Sequence, residues 1–276
     1  MKLVNLIIGK KRNLMDNLRS ISNCQNDDFS NINFFIFWKD DFLTETEKKI
    51  LKKKYTNTYF KTLDKNKYEA KIKKILRNNK GYPKNMSGAI ISNYLQYSLV
   101  QYAFNYACKK LKNEKFKSFF WQRIRSDILI NDKIINNPQK KILYLPGTVH
   151  GYGVVDFHAL GTFKEFKAYS NTIDTLSSLY KINIFGPPEI ALRMQLTKCQ
   201  LNCALSDKMP INLLLYTSKK SKLKHSYRLR SNKYLKNQFS NNIYEESFIF
   251  KDNFFLRKVF YYSYEYLIKL KLILNI

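Results

Sequence analysis

Short apolar runs along the chain predict the strands of a buried sheet. Each run ends near a glycine, a proline or charged residues, as strands do where they leave a core. The runs occupy residues 3–8, 31–38, 119–130, 141–146 and 211–217. Tyr59 and Phe60 mark a further, brief strand. The chain therefore carries enough strand-forming sequence for one substantial sheet.

Helical patterns fill the segments between these runs. They cover residues 13–22, 44–54, 65–78, 87–111, 162–180 and 187–201. The second begins with Thr44 and has Glu47 three residues later, which is the arrangement of a capping box. Strands that alternate with helices predict an α/β fold, with a mostly parallel sheet and helices on its faces.

The predicted strand over residues 119–130 carries the densest candidate chemistry. Its aromatic start leads into Arg123, Arg125 and Asp127. Alternate residues of a strand share a face, so we expect both guanidinium groups and the carboxylate on one side. Ligands of open α/β sheets bind at the carboxyl ends of strands, and guanidinium groups suit phosphate oxygens. Two interpretations stay open: an anion-binding site, or a local ion pair at a strand end.

The chain is strongly basic. Its 276 residues include 49 Lys and Arg against 21 Asp and Glu, a formal net charge of +28. Lysine dominates and is spread along most of the chain, so the prediction of nucleic-acid binding rests on charge alone. An anionic substrate or an anionic membrane surface explains the charge equally well.

The cysteines indicate a reducing compartment. Their spacing fits neither a disulfide scaffold nor a zinc site, which is typical of a cytoplasmic protein. Cys199 and Cys203 are expected one turn apart on the helix that begins at residue 187. No signal peptide and no apolar run long enough to span a membrane are expected.

Two regions are predicted. Residues 1–217 form the α/β domain, and residues 218–276 form a basic and amphipathic C-terminal region. Residues 208–244 contain no acidic residue, and residues 254–276 are aromatic and aliphatic with interspersed lysines. This layout is typical of an interfacial membrane anchor. A solvated basic loop followed by a packed helix explains it equally well.

Four patches together point to a known family. They are Gly9-Lys10-Lys11-Arg12, Arg125-Ser126-Asp127, Asp156-Phe157 with Gly161, and Pro188-Glu189 at a helix start. Trp38 ends the second strand, and Tyr169 lies on a helix after Gly161. In this order the chain resembles the bacterial surface-polysaccharide glycosyltransferases of the WavE lipopolysaccharide-synthesis type, over roughly residues 3–201. The resemblance implies a GT-A-like nucleotide-sugar-binding fold.

The resemblance also implies an activity and roles for named residues. The protein would move a sugar from a nucleotide-sugar donor to a lipopolysaccharide or capsular saccharide. Asp127 would hold Mg²⁺ or Mn²⁺ or, alternatively, contact the ribose or sugar of the donor, so metal dependence stays open. Asp156 and Glu189 are candidates for the base that activates the acceptor hydroxyl. His150 would contact the acceptor. The donor would be bound by Gly9, Lys10, Arg12, Arg123, Arg125 and Asp127.

Alternatives to these roles stay open. Lys10 and Arg12 could simply face solvent, and Glu189 could be an ordinary first-turn acid favoured by the helix dipole. For the whole chain, the expected place is the cytoplasm, peripheral on the inner face of the cell membrane. The alternative functions are a basic nucleic-acid-binding protein and a non-catalytic relative of the transferases.

Overall fold

The computed structural model describes residues 1–11, 14–15, 18–25, 27–79, 87–130, 138–146, 149–150, 153–154, 158–182, 184–185, 188–206 and 211–213. Its strands are β1 (Lys2–Ile8), β2 (Ser30–Trp38), β3 (Thr58–Leu63), β4 (Phe120–Arg125), β5 (Ile128–Ile130), β6 (Ile142–Pro146), β7 (Val149–His150), β8 (Gly153–Val154), β9 (His158–Thr162), β10 (Asn202–Ser206) and β11 (Ile211–Leu213). Its helices are α1 (Leu18–Cys24), α2 (Glu45–Lys54), α3 (Asn66–Arg77), α4 (Ser87–Lys110), α5 (Phe163–Ser170), α6 (Thr172–Lys181) and α7 (Pro188–Lys198).

Seven strands form the main sheet, in the order β10-β6-β9-β4-β1-β2-β3. All neighbours are parallel except β9, which runs antiparallel to β4 and β6. The strand order reverses at β1, which pairs with β2 on one side and β4 on the other. The predicted α/β class, with a mostly parallel sheet and flanking helices, is confirmed.

Both faces of the sheet are buried, because successive side chains of a strand point to opposite faces. Leu6, Phe34 and Trp121 belong to one apolar layer, which also contains the inner side of α4. Ile7 and Phe35 belong to the other layer, together with apolar residues of α1 and α2. The aromatic stripe of α4 is therefore core packing, as its periodicity predicts. The capping box of α2 is also confirmed.

Several boundaries differ from the sequence predictions. The helix expected over residues 162–180 is two helices, because the backbone turns at Asn171, whose N–H donates to the carbonyls of Lys167 and Ala168. The helix expected to reach residue 201 ends at Lys198, and the left-handed Gln200, with φ of 51°, leads into β10. Cys199 and Cys203 therefore do not share a helix, and that expectation is wrong.

Two small sheets lie beside the main one. β5 pairs with β11, and β7 pairs with β8, both antiparallel. The segment predicted as a last core strand over residues 211–217 thus contributes β11 to a two-stranded sheet and not to the main sheet. The predicted region 218–276 lies outside the described residues. Within the described part of the chain, no helix is both long and apolar enough to cross a membrane.

Candidate functional site

A cleft of about 570 Å³ opens at the carboxyl ends of β1, β2 and β4. This is the point where the strand order reverses, which is where open α/β sheets bind ligands. The described residues that line the cleft come from β1, β2 and β4 near their carboxyl ends, from the loops after them, from the residue before α3 and from the N-terminal part of α4. They are Ile8, Gly9, Lys10, Trp38, Asp40, Asp41, Lys65, Gly88, Ile91, Ser92, Leu95, Gln96, Leu99, Arg123, Arg125 and Asp127.

Ser126 joins the loops that follow β1 and β4. Its N–H donates to the carbonyl of Ile8 at 3.1 Å, and its hydroxyl donates to the carbonyl of Lys10 at 2.7 Å. Gly9 lies between these contacts with φ of +133°, and a Cβ there would come within 2.9 Å of the Ser126 Oγ. The close approach of the two loops therefore requires a glycine at position 9.

Gly9→Ala is expected to lower the free energy of unfolding by about 1–3 kcal/mol, because it adds backbone strain and a contact with Ser126. Chemical denaturation of the purified variant measures this. Gly88→Ala is the matched control, since Gly88 also lines the cleft but has no atom within 4 Å of an added Cβ. On α4 that alanine is expected to be neutral or stabilising by up to about 1 kcal/mol. Equal effects of the two substitutions would contradict the role assigned to Gly9.

Arg125 and Asp127 form an ion pair that faces the cleft. Arg125 donates from Nε to Oδ1 of Asp127 at 2.9 Å and from Nη2 to Oδ2 at 2.7 Å. The side chain of Asp127 is 4% exposed and that of Arg125 is 14% exposed. The two interpretations left open by the sequence therefore coexist here: the local ion pair is present, and both of its members line the cleft.

Arg123 lies on the same face of β4 as Arg125 and is almost fully buried, with 1% of its surface exposed. Its Nη1 donates to the hydroxyl of the buried Tyr169 at 2.6 Å. A charge buried in the low-dielectric interior interacts strongly with nearby ionisable groups. Burial, and then the charge of Arg123, lowers the pKa of His158 to about 3. A fixed positive charge therefore sits at the floor of the cleft.

The opposite wall carries charges that the sequence reasoning did not single out. Asp40 and Asp41 lie in a 3-10 turn directly after β2, and Lys65 precedes α3. Lys65 forms an ion pair with Asp40, and that hydrogen bond raises the pKa of Lys65. Asp41 accepts a hydrogen bond from the N–H of Lys11 at 2.6 Å. Polar residues that directly follow a core strand were the available signal for Asp40 and Asp41.

The cleft brings together five of the predicted site residues, namely Gly9, Lys10, Arg123, Arg125 and Asp127. Glu189 lies in the first turn of α7 and acts electrostatically on Tyr180, and it is not among the described residues that line the cleft. His150 lies in β7, but the position of its side chain is outside the described part. Arg12 and Asp156 also lie outside it. The roles of all these residues stay predictions.

The described carboxylates do not form a metal centre by themselves. Among the described residues, no group of three or more His, Cys, Asp or Glu is placed to hold a metal ion. Both oxygens of Asp127 accept hydrogen bonds from Arg125. A Mg²⁺ or Mn²⁺ ion would reach Asp127 only in competition with that guanidinium group.

No family model matches this sequence, and no curated protein matches it. Solved structures that it resembles include one described as a transferase mutant, with 11% identity, a TM-score of 0.38, and coverage of 72% of this chain and 80% of the other. Another is described as a transferase, with 12% identity, a TM-score of 0.37 and coverage of 71% and 82%. A third is mouse xyloside xylosyltransferase 1 in its apo form, with 12% identity, a TM-score of 0.34 and coverage of 75% and 78%. Likenesses with TM-scores this low assign neither a family nor an activity.

Proposed function

We propose that this protein is a glycosyltransferase that moves a sugar from a nucleotide-sugar donor to a saccharide acceptor. The observation that carries the proposal is the cleft at the reversal point of the sheet, lined by Lys10, Arg123 and Arg125. A nucleotide sugar carries a diphosphate, and its departure leaves negative charge that must be stabilised. Cationic groups that converge on one cleft supply that stabilisation.

The three cations suit different parts of this task. Arg123 is held by Tyr169 and buried, so its charge is already oriented when the donor binds. Lys10 is exposed at the mouth and adjusts its position to the phosphate oxygens. Arg125 binds Asp127 in the free protein. A donor phosphate would share or take over that guanidinium group and leave Asp127 to accept from a ribose or sugar hydroxyl.

The acceptor side of the reaction follows from the resemblance. In an inverting reaction, the acceptor hydroxyl loses its proton to a general base, for which Asp156 and Glu189 are the proposed candidates. His150 is the proposed acceptor contact. On this proposal the acceptor is a lipopolysaccharide or capsular saccharide, and residues 218–276 hold the enzyme at the inner face of the membrane.

The proposal predicts that a nucleoside diphosphate, and the matching nucleotide sugar, raise the melting temperature of the full chain. Ligand at a hundredfold excess over its Kd adds about 2.7 kcal/mol to stability. A panel of UDP, GDP, CDP and ADP with their sugar conjugates tests this, with Mg²⁺, with Mn²⁺ and with EDTA. The EDTA arm shows whether binding needs a divalent cation.

Two variants localise the binding. Lys10→Ala removes an exposed cation of the cleft and is expected to weaken nucleotide binding by about tenfold, that is by about 1.4 kcal/mol. Lys117→Ala removes an equally exposed lysine beyond the cleft lining and is expected to leave binding unchanged. If no member of the panel stabilises the parent protein under any ionic condition, the proposed function is wrong.

A further inference from the structure

A row of aromatic side chains begins at the rim of the cleft. Trp38 lines the cleft and packs against Tyr68 of α3, with 5.6 Å between ring centroids. Tyr102 and Tyr106, on α4, stack with ring centroids 6.1 Å apart and 10° between their planes. Tyr59 of β3 stacks on Phe34, which Tyr106 also contacts edge-on. We call Tyr59, Tyr68, Tyr102 and Tyr106 the tyrosine row.

The phenol groups of the tyrosine row follow one another across β3, α4 and α3. Burial, and then the neighbouring Tyr68 and Tyr106, raise the pKa of Tyr102. Burial, and then Tyr59, raise the pKa of Tyr106. The four phenol groups are therefore close enough to act on their neighbours electrostatically.

Lysines surround the far end of the row. A cavity of about 740 Å³ lies there, lined by Tyr102, Tyr106, Lys61, Lys109, Lys110 and Lys112. The Nζ atoms of Lys61 and Lys110 each lie 5.9 Å from the centre of the Tyr106 ring. Within the described part of the chain, no carboxylate lines this cavity and none of its lysines forms a salt bridge. The cavity presents uncompensated positive charge to an anionic ligand.

Helix α4 connects this cavity to the candidate cleft. Leu95 and Gln96 line the cleft, and Tyr102 and Tyr106 line the cavity further along the same helix. With a rise of about 1.5 Å per residue, the ten residues from Gln96 to Tyr106 span about 15 Å. A ligand that occupies both places must be an elongated one, such as a chain of several sugar units.

We propose that the tyrosine row and its lysines bind the anionic saccharide chain of the acceptor and lead its end towards the cleft. This inference rests on the proposed transferase function. The tyrosine row and the cavity offer phenol hydroxyls, the amide of Asn105 and lysine ammonium groups, which match sugar hydroxyls together with carboxylate, sulfate or phosphate groups.

A single-stranded nucleic acid fits the tyrosine row less well. Such ligands bind by stacking their bases on open aromatic faces. The faces of Tyr106 are already engaged, because Tyr102 stacks on the ring and lysine side chains lie over it. At Tyr106 the surface therefore presents hydroxyl and ammonium groups in place of an open ring face.

The test compares two double variants of the full chain with equal changes of charge. Lys109→Glu/Lys110→Glu alters the last turn of α4 at the cavity, and Lys52→Glu/Lys53→Glu alters the last turn of α2 outside the cavity lining. The probes are a fluorescently labelled heparin octasaccharide, a neutral dextran oligosaccharide of the same length, and a labelled single-stranded oligo(dT). Fluorescence anisotropy at about 0.15 M salt limits non-specific attraction, which is screened there over about 8 Å.

The parent protein should bind the anionic oligosaccharide and not the neutral one. Lys109→Glu/Lys110→Glu should weaken this binding at least about tenfold, while Lys52→Glu/Lys53→Glu should change it less than about twofold. Equal losses in the two variants would show that only net charge matters and would overturn the proposal. Tighter binding of oligo(dT), lost in the α4 variant alone, would also overturn it and make this surface a nucleic-acid site.

The same variants separate this inference from the proposed function. The thermal response of Lys109→Glu/Lys110→Glu to nucleotides should equal that of the parent, because the altered lysines do not line the cleft. A parent that responds to nucleotides but binds no anionic saccharide would leave the donor site standing and remove only the acceptor surface. A parent that binds the saccharide but no nucleotide would remove the transferase role on which this inference depends.

Discussion

Asp127→Ala is expected to lower the free energy of unfolding by about 3 kcal/mol, as measured by chemical denaturation. The substitution removes the carboxylate that Nε and Nη2 of Arg125 both contact, and with it a negative charge beside a mostly buried guanidinium group. Removing one partner of a buried ion pair typically costs about 3–5 kcal/mol. The partial exposure of Arg125 to the cleft places the expected effect at the lower end of this range.

A double-mutant cycle shows how much of this cost belongs to the pair. Arg125→Met combined with Asp127→Ala should be less destabilising than the sum of the single changes, with a coupling energy of about 2 kcal/mol. The matched cycle uses Glu45→Ala and Lys48→Met, since that pair is an exposed ion pair with the Glu45 side chain 80% exposed. Its coupling should be much smaller, because solvent screens an exposed pair. Equal couplings in the two cycles would contradict a stabilising role for the cleft pair.

Asp127→Asn then separates stabilisation from donor binding. The amide keeps an oxygen that accepts from Arg125 but loses the negative charge. If Asp127 accepts from the donor, the nucleotide response of this variant should fall by about tenfold or more even where the protein stays folded. An unchanged response would assign Asp127 to the ion pair alone.

Acidification from about pH 6.5 to about pH 4.5 is expected to remove about 2–3 kcal/mol of stability through His158 alone. His158 is fully buried, and its pKa in the folded protein is lowered to about 3 by burial and then by Arg123. In the unfolded chain its pKa is about 6.5, so the unfolded state binds the proton first. Stability due to His158 is therefore complete above about pH 6.5 and falls as the pH drops towards the folded pKa.

His158→Gln tests this assignment. The amide of Gln122 lies 2.8 Å from Nε2 of His158, and a glutamine at position 158 keeps an acceptor for it without a titrating ring. In denaturation curves between about pH 6.5 and pH 5, the variant should no longer show the fall in stability due to His158, whose slope approaches about 1.4 kcal/mol per pH unit near pH 5. The variant should still lose stability at lower pH through Glu47. Burial raises the pKa of this carboxyl group, but hydrogen bonds from Lys11 and Thr44 outweigh burial and lower it, so protonation of Glu47 destabilises the fold. An unchanged slope in the variant would show that His158 does not govern this range.

The sequence pattern predicts the first half of the fold closely, because its strands are fully buried and its helices are long or well capped. β1, β2 and α4 agree with their apolar runs to within one residue at each end. β9 was not predicted, since Gly161 and Thr162 interrupt its apolar character. The structure explains the glycine: a Cβ at position 161 would come within 3.1 Å of both Glu165 and Leu143. Tertiary packing decides such a strand, and local pattern does not show it.

The candidate site was predictable where chemistry follows a core strand. Gly9 and Lys10 after β1, and Asp127 after β4, do meet in one cleft. The buried state of Arg123 was not readable from the chain, because it depends on Tyr169, which lies 46 positions further along. The lysine cavity beside α4 was also missed. Its members come from β3, from α4 and from the turn after α4, and the packing of α4 against the sheet brings them together.

The hydrogen bonds of Ser126 have a consequence for the energetics of ligand capture. They join the loops after β1 and β4 into one wall of the cleft, which is therefore already ordered in the folded protein. An incoming ligand does not bear the entropic cost of ordering this wall. On the facing wall, Asp41 is already joined to the loop after β1 by the N–H of Lys11, whereas the exposed pair of Lys65 and Asp40 contributes little stability. Any closure around a ligand should therefore be a movement of the loop after β3, which carries Lys65, towards the preorganised β1–β4 wall.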